Sequence, residues 1–153
     1  MFMNRVVYTV NREKKRSATQ LFVSESEFDR SVSTIVKGPK ETKLVIFPNT
    51  VRQTRAGAFA ESPRLKSVVL NEGLEKLERP SDDQHSGVFH GTGIEQVMLP
   101  KTLLVLGDKA FQNCRMLKRA IFSGESRLEE IGASCFNSSE IQGITIPSSV
   151  TTF

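Results

Sequence analysis

A chain of 153 residues with 38% hydrophobic and 25% charged side chains has the size and balance of one globular domain. That composition excludes collagen-like, wholly disordered and multi-span membrane architectures. No apolar run approaches the roughly eighteen residues a membrane-crossing helix needs. The net charge of +4 is unevenly placed: residues 1–43 hold nine Lys/Arg against five Asp/Glu, and residues 44–153 hold twelve of each. A nucleic-acid-binding domain carries its cations as a stripe across the fold, so the run Arg12, Lys14, Lys15, Arg16 is read as a solvated turn and no nucleic-acid partner is assigned. The alternative, binding through that basic run, requires a salt-sensitive affinity weakened by Lys14→Ala and Lys15→Ala. Ten Phe, one Tyr and no Trp indicate aromatic side chains used as core filler.

At the start of the chain, Met1–Val10 has no charged leader followed by an apolar stretch and a small-residue cleavage site, so no signal peptide is read. Residues 1–41 are expected to form an N-terminal cap. Val6–Val10 alternates weakly as a strand, Asn11–Ser17 is a polar turn, and Gln20–Val23 is a second strand. Ser24-Glu25-Ser26-Glu27 then matches a capping box, and Phe28, Val32 and Ile35 fall on one helical face, which predicts an amphipathic helix over about 25–37. Gly38-Pro39 ends it, and its apolar face is expected to cover the first coil of the region beyond residue 41.

From about residue 42 the chain repeats itself. Phe59, Phe89, Phe111 and Phe136 each follow a small or apolar residue, at spacings of 30, 22 and 25. Five or six residues after each comes Leu65, Ile94, Leu117 or Ile141. An alternating pair of core positions follows: Val68/Leu70, Val97/Leu99, Ala120/Phe122 and Ile144/Ile146, with Val45/Phe47 as the first member. Pro48, Asn71, Pro100, Ser123 or Pro147 closes each pair. Two further apolar positions three residues apart complete the unit: Leu74/Leu77, Leu103/Leu106, Leu128/Ile131 and Val150/Phe153, with Val51/Thr54 a weaker first pair. Each alternating stretch is a short strand with one buried face, too small to fold alone. Stacking successive units makes a parallel sheet with Leu, Val and Phe columns running through the core. The three-residue spacing predicts irregular or 3₁₀ return segments, with Gly107 and Gly132 helping the chain turn.

The string "IEQVMLPKTLLVLGDKAFQNCRML", Ile94–Leu117, reads as one complete unit, and "IQGITIPSSV", Ile141–Val150, as the opening of another. These residues resemble the BspA-like leucine-rich repeat family, over about residues 42–153 and without the Asn ladder of the commoner leucine-rich pattern. The resemblance implies an α/β repeat solenoid of leucine-rich-repeat type: a short parallel sheet on one face, irregular or 3₁₀ returns, and an N-terminal cap containing a helix. It divides the chain into a 1–41 cap and a 42–153 array of about four and a half repeats. It also implies adhesion or protein recognition at a bacterial or protist surface, with a host or matrix protein as partner and no catalytic residues.

The chain departs from the pattern in two places. Arg79–Ser86 adds about eight residues, and Pro80, Ser81, Asp82 and Asp83 make it a loop. The chain also ends on a half repeat, expected either of a piece of a longer array, the favoured reading, or of a half turn that serves as terminal cap; uncapped, the last turn is open for self-association through Val150 and Phe153.

Chemistry-bearing residues are few. His85 and His90 stand five apart beside Asp82 and Asp83, a spacing that matches no metal-ligand pattern. Cys114 and Cys135 are read as a buried thiol pair in different columns. Ser81, Asp82 and His85 lack a nucleophile elbow, and Gly87, Gly91 and Gly93 sit at a repeat junction, not between a strand and a helix as in a phosphate loop. No metal, cofactor or enzymatic activity is therefore assigned. What remains is the strand face opposite the core. Ile46, Val69, Met98, Ile121 and Thr145 form one outward column, and Leu44, Ser67, Gln96, Arg119 and Gly143 another. An apolar ladder on the inner curve of a solenoid is a candidate partner surface, with Ile46, Val69, Met98, Ile121, Thr145, Ser67, Gln96 and Arg119 as its contact residues. The competing reading is a structural spacer or self-associating scaffold, in which the ladder reflects strand propensity alone.

Overall fold

The computed structural model describes residues 9–10, 20–22, 34–35, 38, 41 and 43–153. Among them the chain forms short strands and no helix. The strands are β1 (Thr9–Val10), β2 (Gln20–Phe22), β3 (Thr34–Ile35), β4 (Leu44–Ile46), β5 (Gln53–Thr54), β6 (Ser67–Val69), β7 (Lys76–Leu77), β8 (Gln96–Leu99), β9 (Val105–Leu106), β10 (Arg119–Phe122) and β11 (Glu130–Ile131).

They stack as two parallel walls. One wall runs β2-β4-β6 and continues, across a gap, as β8-β10, with β1 added antiparallel to β2 at its edge. The other runs β3-β5-β7-β9-β11. The first wall forms as the alternation predicts: in β8, Val97 and Leu99 point inward while Gln96 and Met98 point out. Register is kept rung by rung, Val45 opposite Val68 and Ala120 opposite Val97, because a one-residue slip would expose every core side chain.

The second wall corrects the expectation of irregular or 3₁₀ returns. Of each pair of apolar positions three residues apart, the first caps a tight turn, as where Leu103 N–H bonds Pro100 O at 3.1 Å and Leu74 N–H bonds Asn71 O at 3.2 Å. The second, Thr54, Leu77, Leu106 or Ile131, is the inward residue of a two-residue strand. That short strand satisfies backbone groups that an isolated turn would leave to solvent. Among the described residues this is a parallel β-solenoid, and most of the helix that gave the expected α/β character lies outside them.

Upstream, Ile35 is 1% exposed and lies in β3, paired in parallel with β5, so the helix expected over about 25–37 does not include its last turn. Ile35 is taken up by wall pairing instead; the rest of that helix, with the capping box, Phe28 and Val32, lies outside the described residues. The strand expected at Gln20–Val23 appears as β2, which pairs with β4, so strand pairing begins well before residue 42. At the other end, Ile144–Ile146 is not a strand. Gly143 has no side chain to pack against β10 and a high entropic cost in extended chain, and Ile144 and Ile146 are only half buried. Thr152 nevertheless bridges Glu130, carrying the second wall one step further.

The third side of each coil holds the phenylalanines. Their backbone is bonded across coils, with Phe59 N–H to Val88 O (2.9 Å), Phe89 N–H to Ala110 O (2.8 Å) and Phe111 N–H to Cys135 O (2.8 Å). The rings form a stack through the core: Phe59–Phe89 at 5.3 Å, Phe89–Phe111 at 5.2 Å and Phe111–Phe136 at 5.8 Å. Two residues before and after these rings the chain turns through left-handed backbone, at Lys109, Asn113, Ser134 and Ser138 among others. Gly107 and Gly132 are not among the left-handed positions. Their glycines are needed for close approach: a Cβ on Gly107 would stand 2.5 Å from Leu77 O.

Candidate recognition surface

The outward residues of the first wall stand on neighbouring rungs because the parallel register holds Ile46 opposite Val69 and Met98 opposite Ile121. Val69 and Met98 are 52% and 68% exposed, and Ile46 and Ile121 are half buried. Ser67, Gln96, Arg119 and Thr145 are exposed beside them. The face is not flat. Between β6 and β8 the ladder is reduced to a long bond from Glu95 N–H to Lys66 O at 3.4 Å, and a trough of about 520 Å³ opens there, lined by Ser67, Val69, Glu72, Gln96, Met98 and Ile121 among others. A second trough of about 530 Å³ lies between β10 and residues 143–148, lined by Arg119, Ile121, Ser123, Gly143 and Thr145 among others. Ile121 and Ser123 belong to both, so the two troughs meet on this face. Strand pattern alone missed Glu72, Pro100 and Ser123 as lining residues. The signal that could have found the first trough is spacing, since Val68 and Val97 are 29 residues apart whereas Val45 and Val68 are 23.

Charge is distributed differently on the two walls. On the second, Arg52 pairs with Glu75 (3.7 Å), Arg55 with Glu78 (3.7 Å), and Arg79 with Glu130, each bridging different coils. Along the first wall, the residues just before the strands form a column, Lys43, Lys66, Glu95 and Lys118, linked by backbone bonds such as Lys118 N–H to Glu95 O at 2.9 Å. All four are exposed.

The other candidate groups separate in space. His85 Nδ1 lies 2.5 Å from Asp82 Oδ1 on the exposed loop, and Gln84 N–H donates to the same carboxylate oxygen at 3.0 Å. The His85 contact holds the Asp82 carboxyl below its ordinary range. This is a loop-closing turn, with Asp83 and Lys109 tying it to the next coil. His90 is turned the other way, with Nε2 3.1 Å from Glu61 Oε1. Among the described residues no three His, Cys, Asp or Glu side chains converge as metal ligands. Cys114 and Cys135 are both free and buried. The Cys114 thiol donates to Phe89 O at 3.1 Å and stands 3.3 Å from Thr92 Oγ1. Burial pushes the Cys135 thiol up to about 12 and raises Cys114 as well. Both are therefore protonated and poorly nucleophilic near neutral pH.

Two parallel walls of short strands closed by turns around Leu and Phe columns define a leucine-rich-repeat type solenoid. Residues 39–153 match the family model for the BspA type leucine rich repeat region in six copies, and the chain belongs to that family. The pneumococcal vaccine antigen PcpA is similar in structure, with a TM-score of 0.62 and 25% identity over 78% of this chain and 30% of that one. The leucine rich repeat protein of T. pallidum, TpLRR, is similar with a TM-score of 0.58 and 17% identity over 89% of this chain and 66% of that one. The chain thus spans less than a third of the first protein and about two thirds of the second. A search among curated proteins found no match. No helix among the described residues is long and apolar enough to cross a membrane.

Proposed function

We propose that this chain is a non-catalytic protein-recognition module that binds its partner through the outward face of the first wall. The observation that carries this is the pair Val69 and Met98, large apolar side chains more than half exposed that line a trough. Apolar side chains on an open sheet face cost solvation unless a partner covers them. Ile46, Ile121, Ser67, Gln96, Arg119 and Thr145 extend the same surface, an apolar middle with a polar margin, as in protein interfaces. The similarity to a pneumococcal vaccine antigen supports a host or matrix protein as partner and a cell-surface location. The test is affinity capture from host-cell or matrix extract with wild type and a Val69→Lys/Met98→Lys/Ile121→Lys variant of matching circular dichroism. A partner retained by the first and lost by the second is expected; identical capture by both contradicts the reading.

A second reading is a structural spacer or self-associating scaffold segment of a longer repeat protein, in which the outward ladder reflects strand propensity alone. Its self-associating form requires a dimer in sedimentation that a Phe153→Ser substitution abolishes, whereas the recognition reading is satisfied by a monomer.

A further inference from the structure

At the starts of the first-wall strands, next to the lining residues Ser67, Gln96 and Arg119, stand cations that the protein itself leaves uncompensated. Lys66 and Lys118 belong to the column at the start of the first-wall strands, and Arg119 lines the second trough. None of the three has an ion-pair partner among the described residues, although Glu95 stands between the two lysines in the column. The second wall is built on the opposite rule, for Arg52, Arg55 and Arg79 each hold a carboxylate of another coil, while Lys76 is left without one. The opposite edge of the first trough carries Glu72. The surface is therefore an apolar floor, Val69, Met98 and Ile121, between a cationic edge and an acidic residue. A partner that desolvates the floor must come to rest with groups of its own facing those cations, and like charge there would be repelled.

We propose that the occupant of this face is an acidic, aliphatic segment of a protein, its apolar side chains on Val69, Met98 and Ile121 and its carboxylates against Lys66, Lys118 and Arg119. This rests on the recognition reading above and specifies the chemistry of the partner. The apolar floor favours a polypeptide over a sulfated polysaccharide or nucleic acid, because those polyanions gain from the cations and nothing from Val69 or Met98.

A random-sequence peptide display library panned on the whole folded chain tests it, with the most enriched peptides then synthesised and titrated. The expected peptides combine Asp or Glu with Leu, Ile or Val and carry net negative charge. Their affinity falls about tenfold or more in Lys66→Glu/Lys118→Glu/Arg119→Glu, falls also in Met98→Ser, weakens with added salt, and is unchanged in Lys76→Glu on the opposite wall. Circular dichroism of each variant must match wild type. Peptides that need Met98 but are neutral or basic, or that ignore the triple charge reversal, overturn the acidic-segment inference and leave the recognition face standing. Peptides indifferent to Met98, or no enrichment, overturn both. Heparin that displaces the peptides and binds equally well to Met98→Ser identifies a polyanion site and also overturns the inference.

Discussion

The rings of Phe59 and Phe89 stack at 5.3 Å and 13°, and those of Phe89 and Phe111 at 5.2 Å and 14°. The first pair is separated by 30 residues and the second by 22. The Arg79–Ser86 insertion is thus expelled from the coil without opening the core, as the exposure of Ser81–His85 also shows. Replacing Ser81–His85 by Gly-Ser should change unfolding free energy by less than about 1 kcal/mol, because loop-length entropy varies slowly and the ion pairs of Asp82 and Asp83 lie at the surface. Urea denaturation checks this, with an unchanged m-value showing that the same surface is buried.

Gly107 and Gly124 should respond in opposite ways to alanine. A Cβ on Gly107 meets Leu77 O at 2.5 Å and Arg79 N at 2.6 Å, backbone atoms held in the second wall, so Gly107→Ala should cost roughly 1–3 kcal/mol. At Gly124 nothing lies within 4 Å and φ is not left-handed, so Gly124→Ala should be neutral or add up to about 1 kcal/mol through the unfolded chain. Thermal melts of the two variants in one buffer decide it.

Thr54 occupies the column that holds Leu77 and Leu106, and its buried hydroxyl has no hydrogen-bond partner. Thr54→Val keeps the β-branched shape and removes the unpaired group, so it should stabilise the fold by about 1 kcal/mol. A lowered urea midpoint would show that the hydroxyl is satisfied in solution.

Cys135 gives the fold a pH dependence of definite sign. Its thiol is neutral when protonated; the unfolded chain releases the proton near the ordinary value of 9.0, while burial holds the folded value at about 12. That contribution to stability is complete below pH 9 and is lost as pH rises from 9 towards about 12. Alanine fits this column, as Ala58 and Ala110 show, so Cys135→Ala should lose less stability than wild type across that window. Parallel curves for the two proteins would contradict the raised value.

Most of the repeat was legible in the sequence because each core column is a direct read-out of side-chain alternation: Val45, Val68 and Val97 are buried as their spacing requires. The second wall was not, since a two-residue strand such as Lys76–Leu77 is too short to show a period, and three-residue spacing reads equally as a turn. Ile35 misled for a related reason. Its i+7 relation to Phe28 fits a helix, but one apolar residue serves a strand as well, and pairing with Gln53–Thr54 decided the outcome. On the recognition face, alternation identified Val69 and Met98 as outward; the troughs depend on where wall pairing fails, at the β6–β8 junction and beside Gly143, which no single repeat announces.

Hydroxyl-radical footprinting of the chain, alone and with its captured partner, tests the central claim most directly, because Met98 and Phe153 are exposed side chains of high radical reactivity on different surfaces. Recognition through the first wall predicts strong protection of Met98 on binding while Phe153 remains reactive. Protection of Phe153 with Met98 still fully oxidised would contradict it and move the contact to the end of the solenoid.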